Sequence, residues 1–266
     1  MIGIFDSGVG GLSVFREICR ILPQQSYVYY SDNANCPYGE KPREYIIESA
    51  RSITRELISL GAEIIVVACN TATAAAITTL REEFPVRFIG MEPAVKPAAA
   101  ITRTGVVGVL ATAGTLKATK YIDTREKWAQ DIKVVEHIGE GFVELVESGR
   151  TYGPEAENIV GHSLIPLLEA GADTVVLGCT HYPFLAETIK KVAAAYHADS
   201  NLDNIHPVFN LIDPAPAVAR HLLEVMSEEG IETSDPNGFS IRLMSSGNPE
   251  MLQRFYSGLR QSCQYI

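Results

Sequence analysis

Short apolar runs alternate along this chain with stretches in which apolar residues recur every three or four positions. The first pattern predicts strands and the second predicts helices. Ile2–Phe5 is such a run, and Leu12, Phe15, Ile18 and Leu22 follow it with helical spacing. The predicted strands are Ile2–Phe5, Tyr27–Tyr30, Ile64–Ala68, Val86–Ile89, Gly105–Leu110, Ile132–Glu136, Thr174–Leu177, Val208–Ile212 and Ile241–Ser245. The predicted helices are Leu12–Leu22, Pro42–Leu60, Ala72–Phe84, Lys117–Gln130, Asn158–Ala170, Phe184–Tyr196, Ala215–Ser227 and Pro249–Leu259.

This order of elements predicts the α/β class, because strands followed by helices with short connections build parallel sheets. We expect two similar domains, each a mostly parallel sheet flanked by helices, related by a pseudo-twofold axis with the active site in the cleft between them. The tail supplies more elements than the second half needs, so we expect it to complete the first domain. The predicted domains are 1–95 plus 208–266, and 96–207, with crossings near 92–97 and 200–207.

Two segments of the chain repeat each other, and each ends in a cysteine. Gly61–Cys69 and Gly171–Cys179 both predict a buried strand that delivers a thiol to its carboxyl end. Gly3–Gly8 and Gly108–Ala113 also align, which strengthens the duplication. Since open α/β sheets bind ligands at the carboxyl ends of their strands, the repeat predicts a site flanked by two thiols.

Two such thiols suit acid–base chemistry on both faces of one carbon atom. A thiolate on one side removes a proton from Cα, and a thiol on the other side returns one, which inverts the stereocentre. Cysteine has an ordinary pKa of about 8.5, close enough to working pH for this role. A single cysteine after an apolar strand is more often a small core residue. Repetition and the polar residues that follow Cys69 and Cys179 favour chemistry, whereas Cys19 and Cys263 fit the core.

The charge balance argues against nucleic acid or an anionic membrane as a general partner. The chain has 22 Lys and Arg against 32 Asp and Glu, a formal net charge of −10. Hydrophobic residues make up 46% of the 266 positions, which is enough for a substantial core. No apolar run reaches the roughly 18 residues that a membrane span needs, and no basic leader precedes Ile2, so we expect a cytoplasmic protein.

The five cysteines include no Cys-x-x-Cys pair, so we expect neither a disulfide framework nor a metal site. The glycines of Gly8–Gly11 are not followed by the Lys-Ser/Thr of a phosphate-binding loop. A nucleotide-binding enzyme is therefore not favoured.

Several motifs together resemble the cofactor-independent glutamate racemases of the aspartate/glutamate racemase superfamily. They follow the family's order over most of the chain. These motifs are Gly3–Leu12, Pro37–Gly39, Ala68–Ala72, Gly105–Thr115 and Leu177–Pro183.

The resemblance implies interconversion of L- and D-glutamate by two cysteines without a cofactor, supplying D-glutamate for peptidoglycan, and a homodimer. It implies that Cys69 acts on the D-enantiomer and that Cys179 acts on the L-enantiomer. It assigns auxiliary acid–base roles to Asp6, His181 and Glu147, with Glu144 as a competing candidate for the last. The implied substrate contacts are Asp6, Ser7, Tyr38, Gly39, Asn70, Thr71, Thr180 and His181.

Other functions stay open at the level of sequence. Asp6 at a strand end also fits a cap on the following turn. The second enzymatic hypothesis is a racemase of aspartate or another amino acid, or a related single-cysteine decarboxylase. Thr180-His181 argues against aspartate, because aspartate racemases usually carry an acidic residue after Cys-Thr. The second cysteine argues against the decarboxylase. The third hypothesis is a non-catalytic amino-acid sensor or a partner-binding protein that keeps the cleft.

Overall fold

The computed structural model describes residues 1–199, 209–233 and 238–262. These residues form two compact units, a first unit of 1–91 with 215–266 and a second unit of 92–214. The predicted crossing at 200–207, the start of the strand predicted at Val208 and the core assignment of Cys263 lie outside the described residues. No described helix is long and apolar enough to cross a lipid bilayer.

The first unit contains a five-stranded parallel sheet. Its strands are β1 (Ile2–Asp6), β2 (Tyr27–Ser31), β3 (Ile64–Val67), β4 (Arg87–Ile89) and β9 (Ile241–Ser245). They pair in the order β4-β3-β1-β2-β9. Every residue of β1 is buried, as expected for a parallel strand covered on both faces. The helices are α1 (Leu12–Ile21), α2 (Arg43–Ser59), α3 (Asn70–Glu83), α10 (Ala215–Glu228) and α11 (Glu250–Ser262).

The second unit contains a four-stranded parallel sheet. Its strands are β5 (Val106–Ala111), β6 (Lys133–Ile138), β7 (Thr174–Gly178) and β8 (Asn210–Ile212). They pair in the order β6-β5-β7-β8. The helices are α4 (Val95–Ile101), α5 (Ala113–Leu116), α6 (Thr119–Trp128), α7 (Phe142–Glu147), α8 (Pro154–Glu169) and α9 (Ala186–Asp199). Two parallel sheets flanked by helices confirm the predicted α/β class, whereas α4, α5 and α7 were not predicted.

Both junctions between the units differ from the predicted limits at 95/96 and 207/208. Glu92 pairs with Lys120 at 2.6 Å and accepts a hydrogen bond from Thr124 at 2.9 Å, which ties it to α6. The strand β8, which we had assigned to the first domain, pairs instead with β7, with Asn210 opposite Thr174. These main-chain and side-chain contacts favour limits at 91/92 and 214/215.

The repeated segments share one local structure, a helix end followed by a strand. Gly61 and Gly171 follow α2 and α8 with φ of +94° and +91°, the left-handed region that glycine adopts without a steric penalty. The next residue donates a hydrogen bond to a carbonyl in the last turn of the preceding helix, from Ala62 to Leu57 and from Ala172 to Leu167, both at 3.0 Å. This is the Schellman arrangement, and it starts β3 and β7 in the same way.

Asp173, next to this cap in the second unit, is a buried carboxylate that ties two loops together. It accepts hydrogen bonds from Thr102 Oγ1 at 2.7 Å and from the N–H groups of Arg103 and Thr104 at 2.6 and 3.0 Å. Burial by itself raises the pKa of a carboxyl group, but these hydrogen bonds outweigh it and hold the pKa of Asp173 below its ordinary value.

We expect Asp173→Asn to lower the free energy of unfolding by about 1–3 kcal/mol near neutral pH, because buried donors lose a charged acceptor. The folded-state pKa lies below the unfolded value of about 3.9, so the contribution is complete above that value and is lost as pH falls through the folded-state pKa. Urea unfolding at about pH 7, 5, 4 and 3 measures it. Asp123→Asn, at an exposed position, is the control. A stability difference that stays constant down to about pH 3 would contradict the prediction.

Candidate active site

In the first unit, the carboxyl ends of β1 and β3 bring Asp6 and Cys69 to the same edge of the sheet. Phe5 lies opposite Val67 in the parallel register, and Ala68 N–H donates to the Phe5 carbonyl at 2.8 Å. Cys69 is buried and caps the amino end of α3, where its sulfur accepts a hydrogen bond from Ala72 N–H at 3.4 Å. Main-chain N–H groups at a helix start favour a thiolate there.

Ser7 connects the Cys69 thiol with the Asp6 carboxylate. The sulfur lies 3.8 Å from Ser7 Oγ, which lies 3.5 Å from Asp6 Oδ1. Asp6 is fully buried, and its Oδ2 accepts hydrogen bonds from Gly8 and Gly11 N–H at 3.3 and 2.7 Å. The predicted residues Asp6, Ser7 and Cys69 therefore form one chain of polar groups, in which Asp6 also caps the turn before α1.

Tyr38 is buried in a short 3-10 helix, Tyr38–Glu40, that also contains half-buried Gly39. Its hydroxyl donates to Asp32 Oδ2 at 2.5 Å. Burial, the Asp32 carboxylate and the nearby Cys69 hold the pKa of Tyr38 far above its ordinary value. Tyr38 is therefore a neutral hydrogen-bond donor at any working pH.

Asp32 is a residue of this site that the sequence analysis missed. It is buried, it follows β2, and its N–H donates to the Asp6 carbonyl at 2.9 Å. The rule that places ligand-binding residues at the carboxyl ends of parallel strands would have selected it.

Asn70 and Thr71 begin α3 directly after Cys69, and both are buried. The Asn70 amide differs from the side chains of Asp6, Ser7 and Tyr38, which have hydrogen-bond partners. Among the described residues, neither its Nδ2 nor its Oδ1 has a hydrogen-bond partner. A buried polar group without a partner costs about 1–3 kcal/mol, so this amide is suited to a polar ligand.

In the second unit, β7 delivers Cys179 in the way that β3 delivers Cys69. Ala111 lies opposite Gly178 in the parallel register, and Cys179 follows as a buried residue. Tyr182 N–H donates to the Cys179 carbonyl at 3.2 Å, which closes a tight turn around buried Thr180 and His181.

His181 connects Cys179 with Glu147. Its Nδ1 lies 3.7 Å from the Cys179 sulfur, and its Nε2 lies 2.6 Å from Glu147 Oε1. Because an ionised carboxylate only accepts hydrogen bonds, this contact places a proton on Nε2 and turns Nδ1 toward the thiol. The predicted residues Cys179, His181 and Glu147 therefore form a connected series, in which the imidazole lies between the thiol and the carboxylate.

The choice between Glu147 and Glu144 follows from this geometry. Both lie on α7, but Glu144 is exposed whereas half-buried Glu147 contacts the imidazole of the buried His181. The contacts therefore favour Glu147 as the auxiliary carboxylate.

Several known proteins are similar to this chain over most of its length. The Asp/Glu/Hydantoin racemase family model matches residues 2–222. A glutamate racemase of Methylococcus capsulatus is 48% identical over 232 residues, covering 87% of this chain and 81% of that protein. The crystal structure of glutamate racemase isoform RacE1 from Bacillus anthracis has a TM-score of 0.83 at 30% identity, covering 98% of this chain and 94% of that chain.

Escherichia coli glutamate racemase, solved in complex with L-glutamate and an activator, UDP-MurNAc-Ala, has a TM-score of 0.81 at 32% identity. The match covers 97% of this chain and 94% of that one. The chain therefore belongs to the Asp/Glu/Hydantoin racemase family and is an amino-acid racemase, an isomerase.

Proposed function

We propose that this protein interconverts L- and D-glutamate with Cys69 and Cys179 as its two acid–base groups and without a cofactor, supplying D-glutamate for peptidoglycan. One observation carries the proposal. In each unit a cysteine lies within two residues of the carboxyl end of a buried parallel strand and is connected through one side chain to a carboxylate. The named relatives, which are glutamate racemases, support glutamate as the substrate.

The reaction requires that both thiols reach opposite faces of one Cα. With L-glutamate, the Cys179 thiolate accepts the Cα proton and becomes a thiol. The Cys69 thiol then donates its proton to the opposite face and becomes a thiolate. D-glutamate reacts by the reverse steps, so no atom is gained or lost. The assignment of each cysteine to one enantiomer rests on the family resemblance.

The side chains beside each thiol have a role in resetting the enzyme. One turnover leaves the protonation of the two cysteines interchanged, and a second turnover in the same direction needs a proton exchange with solvent. Asp6 through Ser7, and Glu147 through His181, offer two routes for that exchange. Imidazole titrates near neutral pH and suits such transfer.

Binding of the substrate is assigned to the polar groups around the two cysteines. Asn70 offers an amide donor to a carboxylate and an amide acceptor to an ammonium group, and neither atom has a partner among the described residues. Asp6, Ser7, Tyr38-Gly39, Thr71 and Thr180-His181 stay predicted substrate contacts, and the homodimer and cytoplasmic location also stay predictions.

Circular dichroism of L- and D-glutamate over time tests the reaction and the substrate. We expect the signal of either enantiomer to decay to zero, because the two are equal in free energy and the equilibrium mixture is racemic. Aspartate is the comparison substrate and should react more slowly. Faster turnover of aspartate would show that the protein is an aspartate racemase instead. Calorimetric binding of glutamate without any loss of the circular dichroism signal would show that it is a sensor.

Cys69→Ser and Cys179→Ser should each slow racemisation by about 10²–10⁴-fold, because each removes one acid–base group. Cys19→Ser, at a buried position in α1, is the matched control and should keep its activity. With wild-type protein in D₂O, the product enantiomer should carry deuterium while the unreacted enantiomer keeps its hydrogen early in the reaction. Full activity in both site variants would exclude the two-cysteine mechanism.

Asn70→Ala should lower kcat/KM for glutamate by about 10- to 100-fold, the loss of 1–3 kcal/mol of hydrogen bonding to substrate. The same change should leave the melting temperature unchanged or raised, because it removes a buried amide that lacks partners among the described residues. Thr54→Val is the control, since the Thr54 hydroxyl of α2 is also buried and has no partner among the described residues. It should raise stability without affecting turnover. A variant Asn70→Ala with wild-type kcat/KM would show that the amide does not bind substrate.

A further inference from the structure

Tyr182 is a fully buried side chain that the proposed chemistry does not use. It directly follows His181 and begins the 3-10 helix Tyr182–Leu185. Its main-chain N–H closes the turn that starts at Cys179. The phenol is therefore fixed to the same turn as both the thiol and the imidazole.

The Tyr182 side chain packs against the loop that leads into α7. Its hydroxyl donates to the Gly139 carbonyl at 3.3 Å, and Phe142 N–H donates to the same carbonyl at 3.3 Å. Its ring meets the Phe142 ring edge-on, with centroids 4.9 Å apart and planes at 63°. A Cβ added at Gly139 would lie 2.5 Å from the Tyr182 hydroxyl, so the loop fits closely around the phenol.

The helix α7 is held at both ends by two adjacent residues. It has six residues, a length of about 9 Å, and a helix this short is not stable without tertiary contacts. Tyr182 contacts its first residue, Phe142, and His181 contacts its last residue, Glu147. Movement of the first end therefore changes how Glu147 meets His181.

We propose that Tyr182 is a positioning residue that holds the start of α7 so that Glu147 at the other end contacts His181. The proposal deepens the function proposed above and rests on it for its kinetic test. The phenol itself stays neutral, because burial and the nearby Cys179 hold the pKa of Tyr182 far above its ordinary value. Its role is to orient the carboxylate, and it transfers no proton.

The first test is spectroscopic and needs no turnover. In protein with ¹⁵N-labelled histidine, the Nε2 proton of His181 should give a low-field signal that exchanges slowly, assigned by its loss in His181→Asn. The signal should be absent in Glu147→Gln, and its intensity should fall at least about twofold in Tyr182→Phe. Tyr27→Phe is the matched control, since the buried Tyr27 hydroxyl also donates to a main-chain carbonyl, that of Leu22, in the first unit. It should leave the signal unchanged.

The second test is a double-mutant cycle on glutamate racemisation. Tyr182→Phe should lower kcat by about threefold to tenfold when Glu147 is present, and by less than about 1.5-fold when it is combined with Glu147→Gln. A residue with only a structural role gives the same factor in both backgrounds. Phe142→Leu reaches the same contact from the helix side and should show the same dependence on Glu147.

The outcomes separate this proposal from the proposed function. An unchanged His181 signal in Tyr182→Phe and Phe142→Leu, or equal kinetic factors in both backgrounds, overturns the positioning role. A weakened signal in a protein that does not racemise glutamate supports the positioning role while the proposed function fails.

Discussion

Parallel pairing of neighbouring strands in register is the constraint on which both candidate centres depend. In the first sheet β1 lies between β2 and β3, so Asp6, Asp32 and Cys69 leave the sheet at one edge. In the second sheet the register of β5 with β7 brings Cys179 to the corresponding edge. A slip of one residue would turn every side chain of a strand to the other face, and no local change could compensate for that.

The two centres share a main-chain design and differ in chemistry. The repeat reproduces the glycine cap, the buried strand and the cysteine, but the group between thiol and carboxylate is a hydroxyl in one unit and an imidazole in the other. A hydroxyl passes a proton only while it gains another, whereas an imidazole can hold one near neutral pH. Under the proposed mechanism two different groups are reasonable, because the two faces of a chiral substrate are not equivalent.

The sequence was informative where a local pattern determines the structure. The apolar runs before Cys69 and Cys179 are short and bounded by glycine and polar residues, so both strands and the positions of both thiols could be predicted. Pairing between elements that lie far apart in the sequence could not be predicted. Which of the two sheets β8 joins depends on competition between whole strands. Glu144 and Glu147 lie less than one helical turn apart on α7, so spacing alone does not distinguish them.

The side-chain contacts within each centre were beyond prediction for the same reason. Tyr38 meets Asp32 only because a loop returns across the end of β2, and Tyr182 meets Phe142 only once α7 has docked. Neither contact has a fixed spacing in sequence. The strand-end position of Asp32 makes it a candidate, but carboxylates at strand ends are also common caps, so its contact with Tyr38 could not be predicted from that position.

The distribution of satisfied and unsatisfied polar groups also bears on how an acidic protein could hold an anionic substrate. The carboxylates of Asp6 and Glu147 already accept hydrogen bonds from main-chain N–H groups or an imidazole, which disperses their charge. The amide of Asn70 lacks such partners among the described residues, and this costs the folded protein stability. A sequence selected for stability alone would replace that amide with an apolar side chain. Its presence beside Cys69 is therefore best explained by a polar ligand that completes its hydrogen bonds.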